Sequence, residues 1–111
     1  MIDADFRQLR EESAARRYEL CDRKAQDYTD GNDRLSNFKW MAKRFGGDPR
    51  QTLLIYATKH FDAICAYARG GYQDNRSEPI TGRIDDLQNY LDLLLALDKE
   101  MKDEETNSRD R

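Results

Sequence analysis

The chain is short of nearly every residue type that would give it a covalent or transmembrane scaffold. It has two cysteines, one histidine and two prolines in 111 residues. Cys21 and Cys65 cannot build a disulfide framework, and no second pair gives zinc-ligand spacing, so both read as free thiols. His60, as the single histidine, excludes any mechanism or metal site that needs two histidines from one chain. No run approaches the roughly 18 apolar residues of a spanning helix, and MIDADFRQLREE begins acidic without the apolar stretch of a signal peptide. The expected location is therefore the cytosol. The chain also lacks a charge excess: 19 basic and 22 acidic residues leave a net charge of -3, which argues against a uniformly basic nucleic-acid surface.

Charge, by contrast, is plentiful. Charged residues make up 37% and hydrophobic residues 38%, against roughly 25% and 45–50% in an average domain. Such a chain needs helices with wide polar faces. Four helical segments are legible. The first spans about Asp3 to Tyr28, with Ile2, Phe6, Leu9, Ser13, Leu20 and Tyr28 returning to one side. After the turn-forming TDGNDRL, Ser36 offers an N-cap for a short helix with Phe38, Met41, Ala42 and Phe45 on one face; Gly46 and Gly47 end it. Asp48-Pro49 is a cap and first-position pair. It opens a third helix with the stripe Leu53, Tyr56, Ala57, His60, Ile64 and Tyr67, ended by Gly70 and Gly71. Ser77 caps a fourth that opens with Glu78 and Pro79 and carries Ile80, Ile84, Leu87, Leu91 and Leu94. The segment KEMKDEETNSRDR has almost nothing to bury, so residues 99–111 are expected to fray, leaving a single α-helical domain over residues 1–98. There is no internal repeat and no strand-like alternation. The expected fold is all-α, a small four-helix bundle-like domain completed by oligomerisation, most simply as a homodimer.

The informative residues are charges inside the apolar arcs. At about 100° per residue, the arc of the first helix also contains Arg17, Lys24 and Asp27. In the third, His60 lies between Tyr56 and Ile64 with Lys59 at the edge, while Asp62 points to the opposite side. The arc of the fourth helix runs from Leu93 through Leu97, Tyr90, Leu94 and Leu87 to Ile84, and holds Arg83 and Asp86; Asn89 and Glu78 sit just outside it. Burying such groups unpartnered costs several kcal/mol each. They should converge on one another, on solvent in a cleft, or on a ligand. An antiparallel packing would bring Lys24 and Asp27 beside the first turns of the fourth helix. The plainer alternative is that Arg83 with Asp86, and Lys24 with Asp27, are ordinary intrahelical pairs at i,i+3 spacing.

The order Lys24, Asp27-Tyr28, Asn37-Phe38, Lys59-His60, Glu78, Asp86, Asn89-Tyr90, with EPITGRIDDLQNY as its longest stretch, resembles small phage-type members of the all-α, MazG-like nucleoside triphosphate pyrophosphohydrolase superfamily. The resemblance covers about Arg23 to Leu97. It implies an oligomeric helical protein, in the host cytoplasm if phage-encoded, that binds magnesium and cleaves the α–β phosphoanhydride of a nucleotide. Carried over by position, Glu78 and Asp86 would be the catalytic carboxylates and metal ligands, with Asp27 a third. Lys24, Lys59 and Arg83 would hold phosphate, with His60 beside them in the nucleotide site, and Asn89 or Tyr90 would contact base or sugar. The chain departs from the family where Gly82 replaces a carboxylate four residues after Glu78, and it lacks an E-x-x-E pair; Glu19 and Asp22 face away from the arc, whereas Asp85, on the Glu78 face, can stand in as a ligand. The retained Glu78 and Asp86 favour an enzyme, and the missing carboxylates favour a non-catalytic nucleotide-binding or sequestering protein. A helical protein-binding inhibitor of a host or defence protein is the third possibility.

Overall fold

The computed structural model describes residues 1–28, 33–70 and 79–109, except for the side chains of residue 21 and of residues 23–28. Among them it forms four helices and no strand: α1 (Asp3–Tyr28), α2 (Ser36–Phe45), α3 (Pro49–Ala68) and α4 (Ile80–Arg109). The all-α expectation holds. No helix among the described residues is long and apolar enough to cross a membrane.

Local chemistry sets most helix ends. Asp48 is extended at φ -87° and ψ 131°, and its carboxylate accepts the Arg50 N–H at 2.8 Å, while Pro49 needs no partner for its missing N–H. The cap of α2 lies earlier than the sequence suggested. Ser36 is already inside the helix, and Asp33 supplies the turn: its side chain accepts the Leu35 N–H at 2.9 Å and its carbonyl accepts the Ser36 N–H at 3.3 Å. Gly46, at φ 74°, closes α2 in the left-handed conformation that costs glycine nothing. Pro79 starts α4, its carbonyl accepting the N–H groups of Gly82 and Arg83; Ser77 lies outside the described residues.

The core is small and sits where α2, α3 and α4 meet. Leu35, Phe38, Leu53 and Leu97 are buried together, with Tyr56, Tyr90, Leu93, Leu94 and Met101 packed around them. Phe38 meets Tyr56 and Tyr90 edge-on, at 6.1 and 6.3 Å between ring centroids. Helices α3 and α4 are antiparallel: Arg50 pairs with Asp98 at one end, His60 with Asp86 toward the other.

Two expectations change here. The start of the α1 stripe, Ile2, Phe6 and Leu9, is exposed; farther along, α1 meets α4 through a polar patch around Ser13, Arg16 and Arg17, with Leu20 of the stripe half-buried. Helix α4 also runs on past residue 99 to Arg109. Glu100 reaches Lys39 of α2, Met101 packs on the core, and Asp98 with Lys102 and Lys99 with Asp103 pair at i,i+4 spacing, each a small gain in helix stability.

The ion pairs that tie the helices together give stability an acid limit. Lys39, with Leu35 N–H, holds the Asp33 carboxyl below the usual range; the Arg50 side chain and backbone do so for Asp48; Lys102 and Arg50 do so for Asp98. A carboxyl depressed in the folded state stabilises above its unfolded pKa and loses that contribution as pH falls through the folded value. The urea midpoint is therefore expected to be flat above about pH 5 and to fall progressively below about pH 4. The fall should be reduced in Asp98→Asn, which no longer has that carboxyl to protonate.

Candidate functional site

Helix α3 delivers His60 to the inner face of the α3–α4 hairpin because it lies about one turn from Ala57 and two from Leu53 on the buried stripe; only 4% of His60 is exposed. Helix α4 delivers Arg83, Asp86 and Tyr90 at spacings of three and four, which stack on one helix face. His60 Nδ1 lies 3.4 Å from Arg83 Nη1 and 3.7 Å from Asp86 Oδ2, and the His60 ring stands 5.6 Å from that of Tyr90. The ring nitrogen thus faces an obligate donor and an acceptor. Without a proton on Nδ1 it can accept from Arg83, and with one it can donate toward Asp86. Asp86 is buried at 6% exposure and Arg83 is half-buried.

Asp85, the neighbouring residue, turns about 100° away and serves a different helix. Its carboxylate accepts from Arg16 Nε at 3.0 Å, Arg16 Nη2 at 3.4 Å and Ser13 Oγ at 3.3 Å. Arg17 Nη1 bridges Ser13 Oγ at 3.1 Å and Gln88 Oε1 at 2.9 Å. Asp85, at 6% exposure, is as buried as Asp86. The pairing with Asp85 raises the Arg16 guanidinium pKa above its ordinary value.

Of the residues singled out from sequence, His60, Arg83, Asp86 and Tyr90 come together. Asn89 is half-buried beside them, and Lys59 is exposed on α3 about 100° from His60. Glu78 and the side chains of Lys24 and Asp27 lie outside the described residues. Among the described side chains, those in the middle of α1 meet the first turns of α4. Ser13 and Arg17 were visible as members of the α1 arc, but Arg16 and the burial of Asp85 were not. The available signal was the doublet Asp85-Asp86: adjacent carboxylates at the inner edge of a helix serve one neighbour only if the other faces water, and α4 has neighbours on two sides.

Of the four proposed magnesium ligands, Asp85 and Asp86 are placed by this geometry, while Glu78 and the side chain of Asp27 lie outside the described residues. Asp85 is committed to Arg16 and Ser13 of α1, and Asp86 faces His60 of α3, so the two carboxylates do not converge. Among the described residues no group of three His, Cys, Asp or Glu side chains is placed to hold a metal ion. No family model, curated protein or solved structure matches the chain.

Proposed function

We propose that the chain is a nucleotide-binding helical protein of the pyrophosphohydrolase type that holds its ligand without metal-dependent hydrolysis. The observation that carries this is the convergence of His60, Arg83, Asp86 and Tyr90 from two helices on one interior face. A guanidinium is suited to phosphate oxygens, an aromatic ring to a base, and an imidazole that can donate or accept adapts to either ligand edge. Gly82 stands where the family has a carboxylate, and its stand-in Asp85 is committed to Arg16; this supports binding or sequestration over hydrolysis, because phosphoanhydride cleavage of this type relies on a metal to neutralise charge and prepare water. On this proposal the protein works as a homo-oligomer, most simply a dimer.

The test is a thermal-shift panel of nucleoside mono-, di- and triphosphates with and without magnesium. A bound nucleotide at a hundredfold its Kd should add about 2.7 kcal/mol of stability without needing magnesium, and should be recovered intact after heat denaturation. Arg83→Gln should remove that stabilisation. Release of monophosphate and pyrophosphate would restore the enzyme as the better account. No stabilisation by any nucleotide would overturn the proposal in favour of a protein-binding inhibitor, the alternative favoured by exposed Trp40 and Phe45 flanking Arg44 on α2.

A further inference from the structure

Helix α2 carries no acidic residue and ends on two cations, Lys43 and Arg44. At about 100° per residue, these lie 40–60° to either side of Trp40, while the buried Phe38 and Ala42 lie 160° away. Trp40 therefore stands at the middle of the helix face turned from the core, and is 55% exposed. The Arg44 guanidinium stands over the Trp40 ring at 5.1 Å and over the Phe45 ring at 5.9 Å, and Phe45 is itself 72% exposed. Cations at a helix C-terminus offset the negative end of its dipole. That accounts for Lys43 and Arg44 as charges, but not for two large aromatic rings left in solvent beside them.

These two cations also differ from their neighbours. Arg34 pairs with Asp22, Lys39 with Asp33 and Glu100, and Arg50 with Asp48 and Asp98. Among the described residues no carboxylate pairs with Lys43 or Arg44. A guanidinium lying over a ring keeps N–H donors at its edge, where a carboxylate can accept two of them in parallel. Aromatic rings and an arginine in one cluster are what protein interfaces concentrate at their energetic centres. The number of charges decides between anionic partners. Two available cations fall short of the roughly four to eight that recruit an anionic lipid surface, and of the roughly six to ten phosphate contacts of a nucleic-acid footprint. The carboxylates that hold Lys39 and Arg50 would further repel a long polyanion. One or two carboxylates beside an apolar side chain match what the face offers.

We infer that the outer face of α2 docks an acidic, partly apolar peptide segment of another protein, with carboxylates on Arg44 and Lys43 and an apolar side chain against Trp40 and Phe45. This gives a chemistry to the protein-binding alternative above. It uses none of the residues of the nucleotide site, so the two readings fail separately.

Trp40 is the chain's one tryptophan, so its fluorescence reads this face. The probe is a synthetic capped peptide, Glu-Asp-Leu-Phe-Glu-Asp, titrated into the full chain at about 50 mM salt. Its expected effect is a saturable shift of emission to shorter wavelength, with a Kd below about 5 mM. The neutral peptide Gln-Asn-Leu-Phe-Gln-Asn should bind at least about tenfold more weakly, as should the acidic peptide to Arg44→Gln, through loss of charge-assisted contacts. Should Arg44→Gln lose helical circular dichroism, Lys43→Gln serves instead, with Kd rising about threefold. Arg10→Gln, which removes the guanidinium over Phe6 on α1, should bind as the wild type does. No response up to about 5 mM peptide would overturn the inference. So would equal binding of the neutral peptide, an Arg44→Gln variant that binds as tightly as the wild type, or tighter binding of oligothymidylate or phosphatidylserine vesicles, which would hand the face to nucleic acid or lipid.

Discussion

Leu97→Ala should cost the protein about 2–5 kcal/mol, seen as a large drop in the urea midpoint with helical signal lost in one transition. Leu97 and Leu53 are the described side chains that are fully buried, and both belong to the cluster where α2, α3 and α4 meet. Truncation removes three heavy atoms whose place neighbouring side chains can refill only by moving rigid elements, since Phe38 and Tyr90 are already locked edge-on beside the site. Total stability of a domain this size is about 5–15 kcal/mol. With four residues in the buried cluster among those described, the total belongs at the lower end of that range and the loss leaves little of it. Ile55→Ala, on the same hairpin but 72% exposed, should shift stability by no more than about 0.5 kcal/mol. Similar losses at Leu97 and Ile55 would contradict the placement of the core.

The same contrast shows why some of the fold could be read in the sequence and some could not. Gly46-Gly47, Asp48-Pro49 and Gly70 act within a few residues of themselves, through a left-handed turn, a side-chain cap and a fixed φ, and the helix boundaries they mark appear where expected. The stripe of α3 was legible because Leu53, Ala57 and His60 lie on the side of that helix turned to the core. The stripe of α1 was legible in part: Ser13 on it, and Arg17 in the same arc, do face α4, which offers Asp85 and Gln88 there, whereas Ile2, Phe6 and Leu9 of the stripe are exposed. Polar docking of this kind carries no hydrophobic period. The extent of α4 beyond residue 99 was hidden likewise, because its supports are Lys39 sixty residues away and pairs between charged side chains that composition alone marks as solvated. At the candidate site the wheel placed Arg83, Asp86 and Tyr90 on the inner arc of α4 and His60 on that of α3, and these four side chains do lie near one another; the partners it expected there, Lys24 and Asp27, have side chains outside the described residues. It could not show that Asp85 is equally buried, since that depends on where α1 lies.

Asp86→Ala should destabilise the protein by about 1–3 kcal/mol, the cost of leaving an interior polar group without its partner: Asp86 is buried and faces the buried His60 at 3.7 Å. The substitution leaves the His60 ring facing a gap where the carboxylate stood. Asp86→Asn preserves shape and one acceptor oxygen, so it should cost less and keep the fold. The pair of variants separates two roles. If Asp86 serves only to hold Arg83 and His60 inside the hairpin, Asp86→Asn retains nucleotide stabilisation in the thermal-shift panel. If it orients them toward a ligand, that stabilisation falls in Asp86→Asn even though the unliganded midpoint barely moves. A double-mutant cycle with His60→Leu completes the test. Asp86→Leu in the His60→Leu background should be cheaper than Asp86→Leu alone by about 1–3 kcal/mol, because apolar groups of similar size can replace an interior polar pair once neither partner is left behind. Additive losses would mean that His60 and Asp86 do not depend on each other, and that the 3.7 Å between them is proximity without coupling.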